Sequence, residues 1–235
     1  MQIVGITNNS FVDYPGHIAM VVFLAGCNMN CYYCHNRDII GKNKSNVLYA
    51  PELIIKNLEG KKDFLDGIVI TGGEPTLYDD LPDFMREIKE KTSKLIKLDT
   101  NGTNPKMLEL VLQENLVDFV AMDIKAPPDK YNETSGAKID LEKIERSIEI
   151  IKKSDIDYEF RTTYAPSLEE ADIVKLAKWI TKTGEVKKYA LQQYRNPNVQ
   201  LIDNRLLIPA HPKEYLTETL EKIKEIIPNS VIRGI

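Results

Sequence analysis

The sequence predicts an α/β protein, a partial and laterally open (β/α)6 barrel with parallel strands, folded as one domain over residues 1–235. Three observations predict it. Short apolar runs alternate with amphipathic segments along the whole chain. There are six such pairs, two fewer than a closed eight-fold barrel holds. The residues able to do chemistry gather just after the apolar runs, where active residues of parallel α/β barrels sit.

The apolar runs are Ile18–Ala25, Gly67–Thr71, Leu95–Asp99, Phe119–Asp123, Tyr158–Thr163 and Lys188–Gln193. Gly, Pro, Asn or Asp bounds each, as expected for strands. The segments between them carry helix signals. Pro51 opens one helix and Gly60 closes it. Asn104 caps another, with Pro105 at its first position. Asp140 caps a third, whose apolar stripe is Leu141, Ile144, Ile148 and Ile151. Ser167 and Glu170 are spaced as a capping box ahead of Ile173, Leu176 and Ile180. A last helix carries Leu216, Leu220 and Ile223 and stops by Pro228. Parallel strands joined this way take right-handed crossovers.

Composition narrows the function. Of 235 residues, 43% are hydrophobic and 28% charged, and the net charge is −4. An acidic balance argues against a general nucleic-acid binder. The lysines at 42–44 and 61–62 read as solvated loops or helix ends. The longest purely apolar run, Ile18–Ala25, is far short of the ~20 residues that span a bilayer. The first residues lack the pattern of a secretory signal. A cytoplasmic protein with no membrane or nucleic-acid partner is expected. His17, His211 and Trp179 have no motif around them and read as structural or surface residues.

The three cysteines all lie in CNMNCYYC, residues 27–34. An odd number packed so closely makes no disulfide framework. Thiolates are soft ligands that suit iron–sulfur clusters and zinc. A four-iron cluster ordinarily takes four cysteines, so three leave one iron open to a ligand. Spacing alone leaves three readings: a cluster at Cys27, Cys31 and Cys34, a zinc site, or inert thiols. His35 adjoins Cys34, which does not match the paired-ligand spacing of zinc sites.

CNMNCYYC resembles the signature loop of the radical S-adenosylmethionine (radical SAM) superfamily, including the aromatic Tyr33 before the third cysteine. The resemblance implies a 4Fe–4S cluster whose open iron is chelated by the amino and carboxylate groups of S-adenosylmethionine. One electron then cleaves the sulfonium to methionine and a 5′-deoxyadenosyl radical. The other motifs follow in the family's order over nearly the whole chain. ITGGEPTLY, residues 70–78, offers two glycines for close backbone approach and a carboxylate that accepts from an ammonium. It resembles the motif that binds the methionine amino group, which implies that role for Gly72, Gly73 and Glu74.

KLDTNGT, residues 97–103, contains the turn pair Asn101-Gly102. It resembles the DTNG motif of glycyl-radical activating enzymes. The resemblance implies that Asp99 and Asp123, with the carbonyls of Thr100 and Ala121, hold a monovalent cation beside the cosubstrate carboxylate. It places Thr100 and Asn101 near the ribose and Lys125 on the carboxylate. Lys125 follows Asp123 by two residues, so an extended strand points both the same way. Arg161 sits inside a strand-like run and is expected to face the site, as is one of Gln192 and Gln193.

Residues 11–36 closely resemble anaerobic ribonucleoside-triphosphate reductase activating proteins, most tellingly in DYPG and CHN. That resemblance implies abstraction of a glycine α-hydrogen from a partner reductase, with a flavodoxin- or ferredoxin-type electron donor. A radical enzyme acting on a small metabolite and a non-enzymatic iron–sulfur or zinc module are the alternatives.

Overall fold

The computed structural model describes residues 1–40, 48–195 and 208–234. The lysines at 42–44 lie outside them. The strands are β1 (Ile3–Tyr14), β2 (His17–Leu24), β3 (Gly67–Gly72), β4 (Leu95–Thr100), β5 (Phe119–Asp123), β6 (Asp157–Tyr164), β7 (Tyr189–Gln193) and β8 (Ser230–Arg233). The helices are α1 (Arg37–Ile40), α2 (Pro51–Gly60), α3 (Leu81–Thr92), α4 (Pro105–Gln113), α5 (Tyr131–Ser135), α6 (Leu141–Lys153), α7 (Glu170–Ile180) and α8 (Lys213–Lys224).

One sheet runs in the order β1-β2-β3-β4-β5-β6-β7-β8. The strands from β2 to β8 are parallel, and β1 lies antiparallel on β2. The expected fold class stands, and β2 to β7 are the six strands read from the sequence. The sheet adds one strand at each end. β1 and β8 are not neighbours in it, so among the described residues the barrel is open between them.

Period-two alternation sends each strand's side chains to two different cores. Met20, Val22, Leu24, Ile68, Ile70, Ile96, Leu98, Val120 and Met122 face outward and pack under the helices. The helices answer with one-sided stripes, such as Ile54, Ile55 and Leu58 of α2 and Ile144, Ile148 and Ile151 of α6. Full burial of each such side chain stabilises the fold by roughly 1.5–3 kcal/mol. The opposite set faces the barrel interior. Its floor is Tyr14, Ala19, Val21, Val69, Phe119 and Ala121. Above that floor the interior positions turn polar, beginning with Lys97 and Asp99.

Most of the expected helix ends are present. The Asn104 side chain accepts from the Met107 amide at 3.2 Å, and Asp140 accepts from Glu142 at 3.1 Å. The capping box of α7 is shifted by two residues. Asp172 accepts from the Glu169 amide at 2.8 Å. The Ser167 hydroxyl instead lies 2.9 Å from that of Tyr32 in the cysteine loop. Among the described residues no helix is long and apolar enough to cross a membrane.

Candidate active site

The chain leaves the carboxyl end of β2 as a loop pinned from several sides. The Gly26 amide donates to the Ile39 carbonyl at 2.9 Å, and the Asn30 amide to that of Ser135 at 2.8 Å. The Arg37 guanidinium donates to Asn30 Oδ1 at 2.8 Å and to the Cys31 carbonyl at 2.9 Å. Asn36 donates to the Gly72 carbonyl at 3.0 Å. This anchoring turns Cys27, Cys31 and Cys34 toward one cavity of about 400 Å³, which also borders Glu74, Asp99, Asp123, Lys125 and Arg161. That volume suits a small-molecule site.

All three thiols are free. Burial pushes the pKa of each above the ordinary cysteine value. Ligand formation therefore has to release their protons. Among the described residues, no three His, Cys, Asp or Glu side chains close on a point that holds a single metal ion. A zinc ion needs its sulfur ligands at about 2.3 Å. Three cysteines bordering one cavity, with no single-ion site among the described residues, leave room for a group larger than one metal ion.

Tyr33 lines the same cavity and packs edge-on against Tyr32, with ring centroids 5.1 Å apart. Its hydroxyl is buried without a hydrogen-bond partner among the described residues. An unpartnered buried hydroxyl beside the cysteines is an available donor for a bound group.

The glycine loop after β3 is built against the cysteine loop. The Gly73 amide donates to the Leu24 carbonyl at 2.8 Å, and the Glu74 amide to that of Gly26 at 2.9 Å. Gly72 has φ +122°, where side chains are strained. A Cβ on Gly73 would lie 1.8 Å from the Gly26 carbonyl oxygen. Only glycine allows so close an approach.

Glu74 is buried, and burial raises its pKa, opposed by the hydrogen bonds it accepts. Oε1 accepts from the Thr76 amide at 3.1 Å, the Thr76 hydroxyl at 2.5 Å and the Thr100 hydroxyl at 2.8 Å. Oε2 accepts from the Asn101 amide at 2.6 Å. Thr100 and Asn101 thus tie the end of β4 to the end of β3. A carboxylate oxygen has about two acceptor sites, so Oε2 retains room for one more donor. The Asn101 side chain donates to Asn28 Oδ1 at 2.9 Å and reaches Cys27 Sγ at 3.9 Å.

Sheet register assembles the charged wall. Asp123 pairs with Arg161 across β5 and β6, and Asp99 lies opposite Ala121. Arg161 faces the interior as expected. It donates to Asp123 Oδ1 at 2.8 Å and to Asp99 Oδ2 at 3.3 Å. Lys125 donates to Asp123 Oδ2 at 3.1 Å, and Lys97 contacts Asp99 Oδ1. Burial works against both carboxylates, but Arg161 together with Lys97 at Asp99 and Lys125 at Asp123 holds both below the usual carboxylate range. Burial likewise opposes the Lys125 ammonium, but Asp123, with smaller contributions from Tyr33, Cys31 and Tyr131, raises its pKa above the ordinary lysine value.

Of the two glutamines ending β7, Gln192 borders the cavity. Gln193 donates to the Tyr194 and His211 carbonyls, both at 3.2 Å. His211 contacts the Leu168 carbonyl at 2.8 Å, and Trp179 donates to Glu145 at 2.7 Å. Neither borders the cavity.

A family model described as the radical SAM superfamily matches residues 21–180, which include every one of these cavity elements but Asp13 and Gln192. This chain belongs to the radical SAM superfamily. Its cofactors are accordingly a 4Fe–4S cluster and S-adenosylmethionine. One relative is a Methanocaldococcus jannaschii protein whose name proposes a glycyl-radical enzyme activating enzyme. It is 37% identical over 240 aligned positions, which cover 98% of this chain and 95% of that one. Two solved structures share the fold. Streptococcus suis SuiB bound to S-adenosylmethionine superposes with a TM-score of 0.68 at 13% identity, covering 91% of this chain and 52% of that one. SuiB bound to precursor peptide SuiA gives 0.66 at 15% identity, over 91% and 48%. The chain thus spans about half the length of those solved proteins.

For a radical SAM enzyme, the sequence reading overlooked several residues that hold the site together. Asn36 and Arg37 fasten the cysteine loop from outside its motif. Thr71 donates to Asp99 at 3.2 Å. Lys97 was detectable in principle, because it precedes Asp99 by two residues in a strand and shares its face.

Proposed function

We propose that this radical SAM enzyme activates a separate glycyl-radical enzyme, an anaerobic ribonucleotide reductase. The observation that carries the reading is the relative named for such activation, alike over 98% of this chain. The DYPG and CHN segments support the reductase as partner. A barrel open between β1 and β8 supports a macromolecular substrate, since a glycine-bearing loop has to reach the cavity. The cavity lining also extends to Asp13 on the edge strand β1.

In this reading Cys27, Cys31 and Cys34 ligate the 4Fe–4S cluster, which when bound supplies the single electron for cleavage. Gly72, Gly73 and the free side of Glu74 Oε2 take the S-adenosylmethionine ammonium. Lys125 meets its carboxylate. Thr100 and Asn101 border the ribose, and Tyr33 closes the wall beside the cysteines. Arg161 fixes Asp99 and Asp123. With one electron added, the bond from sulfonium to the 5′ carbon breaks and methionine leaves. The cleaved cosubstrate would then supply a 5′-deoxyadenosyl radical able to take a glycine α-hydrogen, which would give 5′-deoxyadenosine and leave the radical on the partner's glycine. A flavodoxin- or ferredoxin-type donor in the cytoplasm supplies the electron.

The test mixes reduced, reconstituted protein with S-adenosylmethionine and the reductase of the same cell, without oxygen. A glycyl-radical doublet in the electron paramagnetic resonance spectrum of the reductase is expected. No doublet there, with rapid 5′-deoxyadenosine formation beside another glycyl-radical enzyme or a metabolite, would overturn the partner.

A further inference from the structure

The resemblance in sequence assigns a monovalent cation to Asp99 and Asp123, but the residues present do not fit one. Each of the four carboxylate oxygens already faces a cationic side chain. Asp99 Oδ1 meets Lys97, and Oδ2 meets Arg161 at 3.3 Å. Asp123 Oδ1 meets Arg161 at 2.8 Å, and Oδ2 meets Lys125 at 3.1 Å. Three cations surround two anions, so this wall carries a surplus of one positive charge before any ligand arrives. An alkali ion added there would be repelled at short range in a poorly screened interior.

Lys97 is the unusual member. Its side chain is 1% exposed, rooted in the barrel interior with its ammonium 6.0 Å from the centre of the Phe119 ring. Phe119 contributes a cation–π attraction of the ordinary kind. The next carboxylate along the interior, Glu159, is wholly buried and gripped in bidentate fashion by Arg233 at 2.5 and 2.6 Å. Its charge acts on Lys97 as well, but Arg233 offsets it, so the pair leaves the surplus on the wall unchanged. Among the described residues Glu74 has hydroxyl and amide partners but no cationic one. The cavity therefore has one wall that needs an anion and one carboxylate that needs a cation. A zwitterionic amino-acid end with its carboxylate toward Lys125 and its ammonium toward Glu74 satisfies both without further ions.

We propose that the Lys97 ammonium, acting through Asp99, supplies the charge that the resemblance gives to a monovalent cation, so that S-adenosylmethionine binds this chain without an alkali ion. Lys97 is a positioning residue in this role. It touches Asp99, not the cosubstrate. The proposal rests on the placement of S-adenosylmethionine given under Proposed function.

The experiment measures S-adenosylmethionine affinity by equilibrium dialysis on the anaerobically reconstituted holoprotein. Tetramethylammonium, sodium and potassium chloride are compared at equal ionic strength. The natural protein is expected to bind equally in all three, within about two-fold. Lys97→Met is expected to bind at least ten-fold more weakly in tetramethylammonium and to recover in potassium or sodium, as that ion enters beside the unmasked Asp99. Lys97→Arg should keep alkali-independent binding. A ten-fold or greater gain from sodium or potassium in the natural protein would overturn the proposal, and this arm decides even if Lys97→Met does not fold. A folded Lys97→Met that binds as tightly as the natural protein without alkali ions would also overturn it. Absence of binding in every buffer would instead overturn the cosubstrate placement, and the inference with it.

Discussion

Replacing any one of Cys27, Cys31 or Cys34 by Ala is expected to abolish reductive cleavage of S-adenosylmethionine. In the proposed ligation each thiolate would hold one iron, and a four-iron cluster left with only two protein ligands would have two open corners. The loss should be nearly complete for all three positions. The loop itself is held by backbone and side-chain bonds from Gly26, Asn30, Asn36 and Arg37. Circular dichroism of the apo variants should therefore match the natural protein while iron and sulfide content after reconstitution collapses. His35→Ala separates this account from a zinc site with three cysteines and a histidine. Iron–sulfur loading should survive that change. Stoichiometric zinc, lost on removing His35, would contradict the cluster assignment.

The second large effect is expected at Arg161. Arg161→Leu leaves Asp99 and Asp123 facing each other with the guanidinium between them gone. Removing one partner of a buried charge network costs about 3–5 kcal/mol. The loss should depend on pH. Both carboxylates are held below their ordinary range, mainly by Arg161 acting against burial. A depressed carboxylate contributes stability above its unfolded pKa and loses it as pH falls through the folded value. The gap between natural protein and variant should thus be full near neutrality and shrink as pH falls below about 4, the unfolded aspartate value. Urea unfolding of the apo proteins at several pH values checks this. A gap that stays constant on acidification would show that Arg161 acts through packing alone.

Short local motifs carried most of what was readable beforehand. Cys27, Cys31, Cys34, the GGEP turn and DTNG each announce themselves within a few residues, and each falls where a strand ends. The six central strands were readable because burial on both faces leaves near-continuous apolar runs. β1 was missed because Asn8, Asn9 and Asp13 interrupt its apolar pattern, and bulges shift its register against β2. β8 is only four residues long, too short for periodicity to register. The capping box of α7 was misplaced because Ser167 found a long-range partner in Tyr32, which no local pattern encodes. The ion pairing along Lys97–Asp99–Arg161–Asp123–Lys125 was hidden for the same reason, although four of its five members were readable as site residues. Its members come from β4, β5, β6 and the residues just after β5, and only the sheet register brings them together.

Glu159 and Arg233 extend that point to the barrel's open side. β8 is short, yet its Arg233 reaches a fully buried Glu159 on β6. Truncating one partner of a buried pair is ordinarily costly, so this bond helps hold the last strand on the sheet. It keeps the edge of the opening defined, which matters if a loop of another protein is to enter there.

The central claim is that hydrogen is taken from a glycine of a partner protein. Deuterium transfer tests it most directly. The reductase is prepared with fully deuterated glycine, incubated without oxygen with reduced holoprotein and unlabelled S-adenosylmethionine, and the 5′-deoxyadenosine is weighed by mass spectrometry. The account predicts 5′-deoxyadenosine carrying one deuterium, formed in step with the glycyl radical. Unlabelled 5′-deoxyadenosine, produced at the same rate whether or not the reductase is present, would contradict it.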